Sequence, residues 1–158
     1  MAEDIELYFT WANDPDVRRN AFNQNPILFA DHRKWFENKL QSASSFLYVL
    51  EKDGRPAGQI RFDATEENVF EIDFSIDRNF RGQGLGAHIL KRGMQQFSMD
   101  IASLPDAGAP ILVKGIVKYE NTASCRAFLR AGFEEEAYHR TEDKIPPIRV
   151  FHKFCPVL

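Results

Sequence analysis

The stretch DRNFRGQGLGAHILKR, residues 77–92, places glycine at 82, 84 and 86 and then passes directly into helical periodicity. Three side chains are missing from one loop just where a helix begins. A helix start exposes backbone N–H groups with no partner inside the helix and carries the positive end of the helix dipole. A glycine loop at that point lets an anion such as a pyrophosphate come within reach of those groups. A tight turn needing positive φ asks for the same residue, so the surroundings of the loop have to decide.

Immediately upstream, in VFEIDFSID (69–77), Phe70, Ile72, Phe74 and Ile76 alternate with Glu71, Asp73, Ser75 and Asp77. This is a strand with one apolar and one acidic face. Before it, FLYVLEKDGRPAGQIRFDA (46–64) has two extended runs around Asp53-Gly54, a strong hairpin signal. Nearer the start, Asp4 is positioned to cap a helix with Ile5, Tyr8, Phe9 and Ala12 at helical spacing, stopped by Asn13-Asp14-Pro15. A short segment about Val17–Phe22 follows, then a helix about Ala30–Gln41 with Trp35, Phe36 and Leu40 on one stripe.

Downstream, the helix after the glycines runs from about Gly84 to Met99, and a loop with Pro105, Gly108 and Pro110 leads to the strand ILVKGIVKY (111–119). Asn121 opens another helix that ends near Ala131-Gly132, and two further extended segments fall about Phe133–His139 and Ile148–Phe154. The element order predicts an α/β (α+β) fold, a mixed sheet with helices on both faces.

Composition narrows the function. A chain of 158 residues with 44% hydrophobic and 27% charged residues suits one domain spanning residues 1–158. A formal charge of -3 gives no general attraction to nucleic acid or anionic membrane. Two cysteines, Cys125 and Cys155, no leader pattern and no apolar run of membrane-spanning length predict a soluble cytoplasmic protein. His32, His88, His139 and His152 lack metal-ligand spacing, so no metal is expected.

Three nucleotide loops compete for the glycines. A P-loop needs G-x-x-x-x-G-K-[ST], and no Lys-Ser/Thr pair stands at that spacing. The dinucleotide fingerprint G-x-G-x-x-G/A is formally matched by Gly82, Gly84 and Ala87. That fingerprint opens its fold at the first strand, whereas three extended segments precede this one, and no acidic residue ends a strand about twenty positions on. The third pattern, R-x-x-G-x-G, is met by Arg81, Gly84 and Gly86, led in by Ile76-Asp77-Arg78-Asn79-Phe80.

This loop resembles the acetyl-CoA loop of the GNAT-type N-acetyltransferases. NTASCRAFLRAGF (121–133) is similar to the second signature of that superfamily: an Asn, a small polar residue three on, and Gly-Phe at the helix end. The resemblance covers residues 46–139. It implies a largely antiparallel central sheet of six or seven strands with splayed central strands, and acetyl-CoA as co-substrate. Arg81, Gly82, Gln83, Gly84, Gly86, Asn121 and Ser124 would hold the cofactor, and the strand edges Phe74–Ile76 and Ile116–Lys118 would take its pantetheine arm as a pseudo-strand. A backbone N–H near Ile76 would serve the oxyanion, and Glu71 or Asp73 the base. Where many relatives carry a Tyr as acid to the leaving thiolate, this chain has Phe128; Tyr119 and Tyr138 are the nearest substitutes in sequence.

For the acceptor, W-x-N-D-P-x-V-R and the later H-x-x-W-F resemble the branch that acetylates the 4-amino group of UDP-linked amino-deoxysugars, as in the pseudaminic acid pathway. In that reading Trp11 or Trp35 packs on a sugar or uracil face, Asn13 bonds hydroxyls or an N-acetyl group, Arg18 or Arg19 faces a diphosphate, and His32 joins the substrate site. The ribosomal-protein N-terminal acetyltransferases share a similar opening, and the acidic strand face suits a cationic peptide terminus. A non-catalytic acyl-CoA-binding module would keep the loop without a substrate cleft. The expected partner is a small-molecule amine, with no nucleic acid and no membrane, and the protein a monomer or homodimer. Relatives also begin with an edge strand, for which only Met1–Glu3 are available here, so the strand is either absent or trimmed.

Overall fold

The computed structural model describes residues 4–103, 109–136 and 147–155. Three helices come first: α1 (Ile5–Ala12), α2 (Pro15–Asn20) and α3 (Phe29–Gln41). A meander follows, β1 (Ser45–Lys52), β2 (Arg55–Glu66) and β3 (Val69–Ile76), then a 3₁₀ turn at Arg78–Phe80 and the long α4 (Leu85–Ala102). The chain continues through β4 (Ile111–Lys118), α5 (Thr122–Arg130), β5 (Glu134–Glu135) and β6 (Ile148–Cys155).

The turn residues act as the sequence requires. Asp53 and Gly54 both take positive φ (53° and 69°), closing the β1–β2 hairpin between paired Lys52 and Arg55. Asn68 (φ 58°) turns β2 into β3. Asp14, read from sequence as part of a helix stop, also caps the next helix: its side chain accepts from the N–H groups of Asp16 and Val17, and Pro15 occupies the first helical position. Thus α2 starts two residues earlier than expected and ends at Asn20. Asp4 stands at the N-cap of α1 but makes no capping hydrogen bond with its side chain.

The six strands form one sheet in the order β1-β2-β3-β4-β6-β5, antiparallel except for β3 and β4. That parallel pair is short, running only from Val69 opposite Leu112 to Glu71 opposite Lys114. Beyond it β3 stays paired to β2 as far as Ile76, and β4 stays paired to β6 as far as Lys118. The two strands therefore part, and the sheet opens in a V at its centre.

Helices cover both faces. Under α4 and α5 lies the larger core, in which Phe62 stacks on Phe97 (4.2 Å) and Phe128 on Phe151 (5.2 Å). On the other face Tyr8 and Phe36 pack against Leu47. The expected helix from Gly84 continues past Met99 to Ala102. Of the segment expected about Phe133–His139, β5 holds Glu134–Glu135, Phe133 is buried, and residues 137–139 lie outside the described residues. Met1–Glu3, too few to supply the edge strand of relatives, also lie outside them.

Candidate active site

A cleft of about 1100 Å³ runs through the V. One half is walled by the glycine loop, the start of α4 and the start of α5; the other by α1, α2, α3 and the polar face of β2 and β3. The two halves meet at Phe74–Ile76 of β3 and Ile116–Lys118 of β4, the strand edges that face each other unpaired.

On the loop half, Gly82 and Gly84 both have φ of 76°, and a side chain added to either would meet no atom within 4 Å. The space is open and the left-handed backbone excludes most other residues. Gly84 is the N-cap of α4, so the unpaired N–H groups of its first turn border the cleft beside these glycines. Gly86 differs: a Cβ there would lie 3.0 Å from that of Ala127 and 3.6 Å from the Phe74 ring. Its missing side chain lets α4 pack against α5, a cause separate from the open space at 82 and 84.

Asn121 caps α5 by accepting from the Ser124 N–H at 3.2 Å, and both residues line the cleft. Gln83 is exposed at the loop tip, where Lys52 donates to its side-chain carbonyl. Arg81 lines the cleft and is held on three sides: its Nε donates to the Ile76 carbonyl (3.0 Å), and its terminal nitrogens reach Asp14 and Asp16, each at 2.9 Å. Burial works against ionisation of Asp14, but the hydrogen bond and charge of Arg81 hold its carboxyl below the usual aspartate value.

On the acceptor half, strand pairing sets Asp63 opposite Glu71, Arg61 opposite Asp73 and Gln59 opposite Ser75 on one face. Asp63 binds Lys39 (2.6 Å), Ser45 (2.7 Å) and Arg61 (2.6 Å). The Arg61 guanidinium stands 5.0 Å over the Trp35 ring and 3.8 Å from Asp73, which accepts from Gln59 at 3.0 Å. Glu71 opens to the cleft, yet partial loss of water and the neighbouring Asp73 charge push its carboxyl above the ordinary glutamate value.

The acceptor residues expected from sequence divide. Trp35 and His32 line the cleft, with His32 buried, its pKa lowered by that burial, and bonded through Nε2 to the Ile5 carbonyl (3.1 Å). A carbonyl only accepts, so Nε2 carries the proton. Arg18 also lines the cleft and donates to backbone through two of its nitrogens, Nε to the Ala12 carbonyl at 2.6 Å and Nη1 to the Asn23 carbonyl at 3.0 Å. Arg19 pairs with Asp16 (2.8 Å) at the surface. Two expectations need correction. Trp11 is 3% exposed and donates its indole N–H to Asp77 (2.9 Å), while Asn13 bonds both ways with the Ile27 backbone (3.0 and 2.8 Å). Both lie behind the cleft wall and hold it in place.

Of the acid candidates, Tyr138 lies outside the described residues and Tyr119 is exposed beside the Arg149 guanidinium (6.0 Å). Phe128 is core, 2% exposed. Tyr8 lines the acceptor half and was not singled out from sequence; its hydroxyl donates to the Tyr48 carbonyl (2.9 Å) and burial raises its pKa. Among the described residues there is no cluster of His, Cys, Asp or Glu able to hold a metal ion, and no helix long and apolar enough to cross a membrane.

A sheet opened at its centre, open space over left-handed glycines at a helix start, and a polar cleft beyond define an acyl-transfer site that fits an extended, phosphate-bearing thioester. The profile of the acetyltransferase (GNAT) domain matches residues 1–134. The chain belongs to that family and is an acetyl-CoA-dependent N-acetyltransferase.

No curated protein sequence matches it. Among solved structures, the spermidine N-acetyltransferase of Vibrio cholerae, in complex with CoA and spermine, superposes with a TM-score of 0.79 at 14% identity, covering 97% of this chain and 90% of that one. The ribosomal L7/L12 α-N-protein acetyltransferase RimL, in complex with CoA, gives 0.75 at 15% identity, over 99% and 92%. The acetyltransferase AAC(6')-Ib, with ribostamycin and CoA, gives 0.74 at 18% identity, over 95% and 88%. These likenesses are of fold.

Proposed function

We propose that the protein acetylates the primary amine of a small cationic acceptor bound against Glu71 and Asp73. The observation that carries this reading is the charge balance of the acceptor face, where Asp63, Glu71 and Asp73 stand against Lys39 and Arg61, both bound by Asp63. The face keeps an excess of carboxylate for a bound ammonium group. A diphosphate would need cationic donors, and here Arg18 gives its Nε and Nη1 to backbone carbonyls while Arg19 pairs with Asp16. Spermine and ribostamycin, named with two of the fold neighbours, are themselves amine-bearing molecules. A nucleotide-linked amino-deoxysugar remains the second reading, favoured by Trp35 in the cleft wall.

Acetyl-CoA supplies an acyl group activated as a thioester. On this chain the strand edges 74–76 and 116–118 would hold its arm, and the loop at Gly82 and Gly84 its pyrophosphate. Glu71, or Asp73 beside it, takes the proton from the acceptor ammonium so that the amine can attack. The ring of Phe128 offers no hydroxyl, and a thiolate with a reference pKa of about 8.5 leaves without a side-chain acid.

The test is CoA release with spermine, ribostamycin, a ribosomal-protein N-terminal peptide and a UDP-4-amino sugar. Turnover of spermine or ribostamycin above the others is expected. Preference for the UDP-sugar would replace the first reading by the second, and release with none would restore the binding-module reading.

A pH profile checks the base. Glu71 acts when ionised, so activity should fall as pH drops through its raised pKa, and Glu71→Gln should lower the rate while removing that acid limb. Wild-type profiles in both Glu71→Gln and Asp73→Asn would mean that bulk water takes the proton. Acetyl-CoA should also raise the melting temperature at micromolar concentration, with NAD and ATP leaving it unchanged.

A further inference from the structure

Helix α2 borders the acceptor half of the cleft through Val17, Arg18 and Asn20, yet it has six residues and none of them is buried. Apolar packing therefore does little to place it, and polar contacts do the work. Asp14, 7% exposed, receives Arg81 at 2.9 Å and Arg78 at 3.2 Å. Asp16 receives Arg81 at 2.9 Å, and the Arg19 carbonyl accepts from Lys118 at 3.0 Å. Arg78 and Arg81 belong to the loop that follows β3, and Lys118 ends β4. The helix is thus fastened to both arms of the V.

We infer that Asp14 and Asp16 are positioning residues for the acceptor, which through Arg81 tie the acceptor-side helix α2 to the pyrophosphate loop, so that donor binding fixes the acceptor wall. The Arg81 guanidinium is held between two carboxylates and its Nε by the Ile76 carbonyl. Any restraint placed on the loop backbone at 81–84 reaches α2 through that side chain. Coupling of this kind is reciprocal, so an ordered α2 also favours the donor.

The inference rests on the proposed donor and not on the acceptor, so it is tested with CoA alone. Amide hydrogen exchange is read at Arg18 and Ala21, whose N–H groups are bonded to the Asp14 and Val17 carbonyls (each 2.9 Å). Saturating CoA should slow exchange at both by at least tenfold in the wild type. Asp16→Asn, which keeps the Asp14 cap, and Arg81→Gln should each abolish most of that slowing. Because the coupling is reciprocal, Asp16→Asn should weaken CoA binding by a factor similar to the slowing it abolishes, and the double variant should lose no more than either single one. A merely structural contact would change exchange equally with and without CoA. Flat exchange at α2 in a wild type whose melting temperature CoA does raise overturns this inference alone. So does full slowing retained in both variants. No melting shift at all would overturn the donor assignment as well.

Discussion

Gly84→Val should lower acetyl-CoA affinity at least tenfold, about 1.4 kcal/mol, while the far-ultraviolet circular dichroism remains that of the folded protein. Gly84 has φ of 76° and open space where its side chain would be. A β-branched residue is strained in that conformation, and its methyl groups would occupy the approach to the first turn of α4. The shorter ligand acetyl-pantetheine, which lacks the pyrophosphate, separates the causes and should lose little. Equal losses for the two ligands would show that Gly84 serves general loop geometry. Unchanged affinity for acetyl-CoA would refute the phosphate cradle.

Gly115→Val acts on stability. An ideal Cβ at Gly115 would lie 2.2 Å from Cζ and 2.5 Å from Cε1 of Phe128. The ring is already packed among others: it stacks on Phe151 and meets Phe133 (5.0 Å) and Phe74 (5.6 Å) edge-on. Overpacking of this kind costs about 1–3 kcal/mol or more, read as a lower urea midpoint. Phe128→Leu removes the clashing ring carbons, so the double variant should be less destabilised than the sum of the two. An unchanged midpoint in Gly115→Val would show that β4 shifts freely at the V, contrary to the packing described.

Much of this was legible because local chemistry fixed it. Alternation from Val69 to Asp77 announced a two-faced strand, Asp53-Gly54 a tight hairpin, and Gly82 and Gly84 a backbone that other residues cannot follow. What was not legible depended on neighbours distant in sequence. Trp11 reads as a substrate platform until Asp77, 66 positions away, takes its N–H. Gly86 reads like Gly84 until Ala127 is seen against it. Arg81 reads as a cofactor-loop residue, and nothing near it in sequence shows that it also joins Asp14 and Asp16. The Asp-Pro cap at 14 and 15 was the local signal for α2, but nothing local shows which cation Asp14 holds. The acceptor charge balance needs the register that sets Asp63 beside Glu71.

The three-pair seam between β3 and β4 bears on how the chain is made. Residues up to 103 contain the whole meander and the helix that covers it, and they leave the ribosome before β4 does. Until β4 is synthesised, β3 is an outer strand with its bonding groups open, a template for pairing with other nascent chains. Arrival of β4 closes only the Val69–Glu71 end of that edge. The rest stays open in the finished molecule, so the protein carries an unfinished edge at its centre, where the helices that wall the cleft stand between it and the strand of another chain.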